Sequence, residues 1–234
     1  MIKKKEKDHL MVSKVKVKES NTLTLLPIKP KTINQQKIFD YFDKGKHLFI
    51  HGFAGTGKTM ISLYLALEAV LEDEFYDKII LVRSAVPSRT QGYLPGTEEE
   101  KNEIFELPFI GICNELFSKS NSYKELKFKE KIKFISTSYL RGITIDNAVI
   151  IIDEVQNMTM EEIDTVITRT GKDCRLIILG DEKQGDLKNT REISCINNLH
   201  KIIDRMKSFV KVEMEIQDIC RNDIVKEWLI ASSY

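Results

Sequence analysis

Gly52-Phe53-Ala54-Gly55-Thr56-Gly57-Lys58-Thr59 is a complete GxxxxGK(S/T) pattern, and its flanks decide what it means. Residues 47–51 before it read as a short buried strand. Residues 59–71 after it read as a helix apolar almost all round, as expected for one packed inside a sheet protein. Strand, glycine loop and helix are the parts a phosphate cradle needs. The glycines let the backbone curl until successive N–H groups point at an anion, with no Cβ in the way. The helix N-terminus behind the loop adds about half a positive charge. In such a loop Lys58 reaches the β- and γ-phosphates, and the Thr59 hydroxyl ligates Mg²⁺. The candidate phosphate-binding set is therefore Gly52, Phe53, Ala54, Gly55, Thr56, Gly57, Lys58 and Thr59.

Outward from this loop, strands and helices alternate. Residues 78–82, 132–135, 148–152, 174–179 and 209–214 read as strands. Helices are expected from Thr32 to Gly45, over 98–117 with breaks at Pro108 and Gly111, over 194–207 and over 222–230. Thr159 and Glu162 form a capping box that opens one more helix, running to about Arg169. Residues 118–131 are charged and show no usable period. Alternation of this kind predicts a single α/β domain, a parallel sheet with helices on both faces.

The acids come at the end of a strand. Residues 148–152 are continuously apolar, so they should form a central strand buried on both faces. Asp153 directly after it suits the Mg²⁺ shell, and Glu154 is placed to orient or deprotonate a water attacking a γ-phosphate. Gln184 follows a further strand and could hydrogen-bond both γ-phosphate and water. Upstream, Gln35 and Gln36 begin a helix. A carboxamide matches the donor–acceptor edge of adenine, and equally suits a solvent-exposed surface. A cation near the γ-phosphate is also wanted, and Arg141, Arg169, Arg191 and Arg221 are candidates among which spacing does not choose.

Size and composition set bounds. The chain has 234 residues, 42% hydrophobic and 30% charged, which suits a soluble domain with a real core. No apolar run approaches the roughly 18 residues of a membrane helix, and no export signal is expected. Cys113, Cys174, Cys195 and Cys220 are scattered without a CxxC pair, which points to reduced thiols in the cytoplasm. The net charge of +1 hides an asymmetry, because residues 1–20 carry seven lysines against three acids. A basic arm over residues 1–22 binds nucleic acid through phosphates or stays a solvated tail, and residues 11–18 alternate as an edge strand would. The rest of the chain is slightly acidic, so nucleic-acid contacts are expected from the arm or from loop cations such as Arg83 and Arg89.

Together these residues resemble the PhoH family, ATPases related to the core of superfamily 1 helicases. The resemblance runs from about Pro27 to the C-terminus. Lys31-Thr32-Ile33-Asn34-Gln35 is similar to the family's adenine-side motif, which favours Gln35 over Gln36. Gly92-Tyr93-Leu94-Pro95-Gly96 followed by Glu99, Glu100 and Lys101 resembles its most individual signature. Arg141-Gly142, then Ile151 to Asn157, Thr168-Arg169-Thr170-Gly171, Gly180-Asp181 and Gln184 complete the order. Asp218-Ile219-Cys220-Arg221 resembles the closing motif and makes Arg221 the preferred arginine finger, with Arg169 second. Ser84 stands where the family usually has proline, Val155 where alanine is usual and Asn222 where histidine is common. The resemblance implies a RecA-like P-loop ATPase domain using ATP and Mg²⁺. It also implies action on RNA or single-stranded nucleic acid, and a homo-oligomeric ring, a hexamer, in which one subunit completes its neighbour's site. An assembly module controlled by ATP with negligible turnover, or a small-molecule kinase, would use the same loop.

Overall fold

In β4 (Ala148–Ile152) every residue is buried. A strand with no polar side chain and no exposed face fits only the middle of a covered sheet. The computed structural model describes residues 23–72, 74–84, 98–137, 140, 142–181 and 190–232. In it β4 lies inside a six-stranded sheet ordered β3-β2-β4-β5-β1-β6. The other strands are β1 (His47–Gly52), β2 (Lys78–Arg83), β3 (Ile132–Ser136), β5 (Arg175–Leu179) and β6 (Phe209–Met214). Every pairing is parallel. β5 separates β1, which carries the glycine loop, from β4, which carries the acids.

Side chains alternate across the strands, so the sheet feeds two cores. Leu48, Ile50, Leu81, Ile151 and Leu179 face one of them, with α1 (Ile33–Asp43), α2 (Lys58–Leu71), α3 (Glu98–Phe117) and α4 (Ser122–Phe128). Phe49, Val82, Ile150, Ile152 and Ile178 face the other, with α5 (Met160–Thr168) and α6 (Thr190–Ile203). α7 (Asp223–Ala231) closes the chain and buries none of its residues. Helices thus cover both faces of a single α/β domain, as the alternation predicts. No helix among the described residues is long and apolar enough to cross a membrane.

Two expectations need correction, and one stretch without a reading is filled. α3 continues through Pro108 and Gly111 without a break. Proline removes one N–H, whose acceptor would be the carbonyl of Ile104, and Ile104 is exposed, so water can serve that carbonyl. The charged stretch without a period contains α4, held by Tyr123 and Leu126 inside and by the Lys127–Glu106 and Lys129–Glu125 ion pairs outside. α6 begins and ends about one turn earlier than its apolar pattern suggests. The basic arm and its candidate edge strand at 11–18 lie outside the described residues, as do Gln184, Arg89, Arg141 and the 92–96 signature.

Candidate functional site

The loop between β1 and α2 is shaped by its own contacts. Gly52, Gly55 and Gly57 have φ of 108°, 73° and 84°, values that L side chains rarely adopt. A Cβ on Gly52 would also run into the Met214 carbonyl of β6. Phe53 N–H donates to that carbonyl at 2.9 Å, and the buried Thr56 hydroxyl donates to Phe53 O at 2.9 Å. Behind this turn, the first amides of α2 have no intrahelical acceptor and face the concavity. The Lys58 ammonium lies across it, donating to Gly52 O at 2.8 Å and Phe53 O at 2.7 Å. Burial lowers the Lys58 pKa, while Asp181, Glu154 and Asp153 pull it back up.

The tips of β4 and β2 supply the charges. Asp153 is 1% exposed, and burial pushes its carboxyl up to about 6 against the opposing pull of Arg83. The Thr59 hydroxyl donates to Asp153 Oδ1 at 3.3 Å. Arg83 Nη2 stands 3.0 Å from Asp153 Oδ2 as an ion pair, yet Oδ2 accepts no hydrogen bond from the described groups. A buried carboxylate oxygen with spare acceptor capacity, beside a threonine hydroxyl, fits a hard cation such as Mg²⁺. No cluster of three His, Cys, Asp or Glu among the described residues could hold a metal by itself. Such an ion would therefore share its shell with phosphate oxygens and water.

Glu154 has φ 57° and ψ 45°, a left-handed conformation that costs about 1–3 kcal/mol in a residue with a side chain. Its carboxylate is held at both oxygens. Arg83 Nη2 reaches Oε1 at 3.5 Å, and Gln156 Nε2 donates to Oε2. Gln156 Oε1 in turn accepts the Asp181 N–H at 2.9 Å, which ties Glu154 to the tip of β5. Sequence reasoning placed Arg83 as a nucleic-acid contact and named Gln156 and Asp181 only within motifs, so it missed the part these three take in the site. The signal for Arg83 is the strand register: Val82 pairs with Ile152, which sets Arg83 beside Asp153. Arg83 is therefore committed to the acids and to the Phe109 ring, 5.4 Å away, instead of standing free for a nucleic-acid backbone.

A cavity of about 980 Å³ gathers these groups. Lys58, Thr59, Asp153, Glu154, Gln35 and Arg221 all line it, as do Ala54 to Gly57 of the loop. Gln36, by contrast, is exposed and bonded to Asp40. Arg221 is exposed, and its Cγ would lie 2.9 Å from a Cβ on Gly55, so its stem crosses the loop tip of its own chain. Arg169 sits at the far end: it caps α5 and accepts the Ile145 N–H ahead of β4, at the amino edge of the sheet. Within this chain it does not meet the loop.

The PhoH-like protein of Synechocystis sp. is 32% identical over 200 residues, covering 85% of this chain and 60% of that protein. Protein PhoH of Escherichia coli is 34% identical over 142 residues, covering 60% of this chain and 40% of that protein. The chain thus spans about 60% or less of the length of these curated relatives. Among solved structures, a large terminase from the thermophilic bacteriophage D6E covers 86% of this chain and 50% of that chain at a TM-score of 0.48 and 14% identity. A likeness at that score adds nothing to the topology already described. A family model described as PhoH-like protein matches residues 27–232. On that match, this chain belongs to the PhoH-like protein family.

Proposed function

We propose that the chain is an ATPase that binds ATP with Mg²⁺ and hydrolyses it, coupled to RNA or single-stranded nucleic acid. The observation that carries this is the convergence of Lys58, Thr59, Asp153 and Glu154 on one cavity. Amides of the loop and α2 hold the phosphates, and Lys58 exchanges its two carbonyl partners for phosphate oxygens, a stronger charge-assisted contact. Thr59 and Asp153 would hold the Mg²⁺, which supplies charge neutralisation at the phosphoryl oxygens. Glu154 orients water and accepts its proton. Arg221 serves the phosphates from within its own subunit. A homo-oligomeric ring remains part of the proposal on the family resemblance.

The test measures nucleotide binding and phosphate release side by side. Lys58→Ala should abolish both. Glu154→Gln should keep binding and lower turnover by roughly 10²–10⁴. Unchanged phosphate release in both variants would remove the assignment. Single-stranded RNA should stimulate hydrolysis, and added salt should weaken the effect. A second reading, ATP-controlled assembly with negligible turnover, is favoured by one feature. Donors stand against both oxygens of Glu154, so an attacking water would have to displace one of them before it could be oriented. Sedimentation that changes with ATP, without phosphate release under any condition, would select it.

A further inference from the structure

The capping box of α5 occupies only half of the Glu162 carboxylate. Oε2 serves it, accepting the Thr159 N–H at 2.8 Å and the Thr159 hydroxyl at 3.1 Å. Oε1 is left over, and two strand tips take it. The Ser84 hydroxyl donates to Oε1 at 3.0 Å and the Thr137 hydroxyl at 2.5 Å. Ser84 and Thr137 hold equivalent places. The parallel pairing of β2 with β3 ends at Arg83 opposite Ser136, and each hydroxyl belongs to the next residue along. Glu162 thus adds one rung, made of side chains, where the backbone ladder stops. Thr137 is buried, so its hydroxyl has little water to turn to. Ser84 is one of the positions where this chain departs from the family pattern, and the usual proline would bring no hydroxyl.

Arg83, the residue before Ser84, needs such a support. One nitrogen, Nη2, serves both acids, 3.0 Å from Asp153 Oδ2 and 3.5 Å from Glu154 Oε1. Its Nε is buried and has no hydrogen-bond partner among the described residues. A guanidinium that presents its whole fork fixes its own orientation, whereas one held by a single nitrogen can pivot. The longer contact is at the limit of a hydrogen bond, so a shift of a few tenths of an ångström at the β2 tip would break it. The Phe109 ring supports one side of the guanidinium, and the backbone has to supply the rest. Glu162 is placed to do so. α5 follows the acids in the chain, and Gln156, which holds Glu154, lies between them. Two consecutive residues of the β2 tip are therefore fastened to residues 153–162, Arg83 at the start and Ser84 at the end. We propose that Glu162 is a positioning residue for hydrolysis, clamping the tips of β2 and β3 so that Arg83 reaches Asp153 and Glu154 together. This deepens the hydrolytic reading of the cavity and rests on it, through a residue that does not line the cavity.

The experiment reads kcat, ATP affinity and unfolding free energy for variants of the full chain. Thr137→Val keeps the shape and loses the hydroxyl, so it should lower kcat about tenfold while ATP binds as before. Ser84→Ala should act in the same direction more mildly. Thr137→Ser keeps the hydroxyl and should keep kcat. Thr159→Ala removes the cap but spares Oε1, so it should lower stability and leave kcat intact. A double-mutant cycle is decisive: on an Arg83→Ala background, Thr137→Val should cost no further kcat, because its effect passes through that arginine. If Arg83→Ala does not fold, Arg83→Lys takes its place in the cycle. The inference is overturned by a Thr137→Val variant with wild-type kcat, by a loss of kcat that Thr159→Ala shares, or by Thr137 and Arg83 effects that simply multiply. A wild type that releases no phosphate from ATP instead sinks the hydrolytic reading itself. The same cycle read on unfolding free energy then decides whether Glu162 holds Arg83: additive losses deny it, and a shortfall from additivity supports it.

Discussion

The two ends of the cavity are built on opposite principles. At the acid end, Arg83 pairs with Asp153 and Glu154, Gln156 donates to Glu154, and Lys58 is held by two loop carbonyls. The other end, away from the acids and so left for sugar and base, is lined by Ile28, Met60 and Ile112 with Lys29, Lys31 and Glu115, and the one carboxamide nearby is turned to the loop. Charge chemistry needs groups fixed before the reaction, because reorganising dipoles during it costs rate. Holding a flat ring needs only contact area. The difference implies that substitutions at the acid end change stability and turnover, while those at the base end change affinity.

Arg83→Ala gives the largest effect. It leaves Asp153 as a buried carboxylate without a cation, which should cost about 3 kcal/mol in unfolding free energy at pH 8. The pH dependence is a sharper test. Burial holds the Asp153 carboxyl up at about 6, so the folded state keeps that proton more tightly than the unfolded chain. The stability this gives is fully present below about pH 4 and is lost as pH rises through about 6. Arg83 opposes the upward shift. Without it the loss continues above pH 6, so the gap between variant and wild type should open there and narrow in acid, as denaturant melts would show. A gap independent of pH would mean that Arg83 acts through packing on Phe109.

Gln156→Ala comes next. It frees Glu154 Oε2 and the Asp181 N–H together, so kcat should fall about tenfold with nucleotide affinity unchanged. A change confined to affinity would place Gln156 with the base end instead. Ile28→Ala should be the mildest, weakening ATP and GTP about fivefold through lost apolar contact, with kcat intact. If it slows turnover instead, the division between the two ends fails.

Much of this arrangement is legible in the sequence, because it is local. Gly52 to Thr59 carries its own backbone geometry, and the Thr159–Glu162 capping box forms as its pattern predicts, with both reciprocal bonds present. Asp153 and Glu154 follow from a buried run that has to end at a sheet edge. Arg83 is different. Nothing near it in sequence marks it, and its partner is seventy residues on; only the pairing of β2 with β4 brings them together. Gln35 is legible only in part, since residue type allows an adenine contact and a solvent-exposed side chain equally. The structure buries it with bonds to Thr56 and Cys220, residues far apart in the chain. α4 is too short, with two buried apolar residues one turn apart, to impose a period.

The glycine loop is encoded early in the chain and closed by its end. Met214 O accepts the Phe53 N–H at 2.9 Å, Cys220 N–H donates to Gly55 O at 3.0 Å, and Asp218 Oδ2 accepts from Asn34 Nδ2 at 2.8 Å. These contacts span most of the polypeptide, so they are among the last that a growing chain can make. A nascent chain still attached to the ribosome has synthesised its phosphate grip long before it can set it. On the proposed function, nucleotide capture would thereby wait until Met214 to Cys220 have been made.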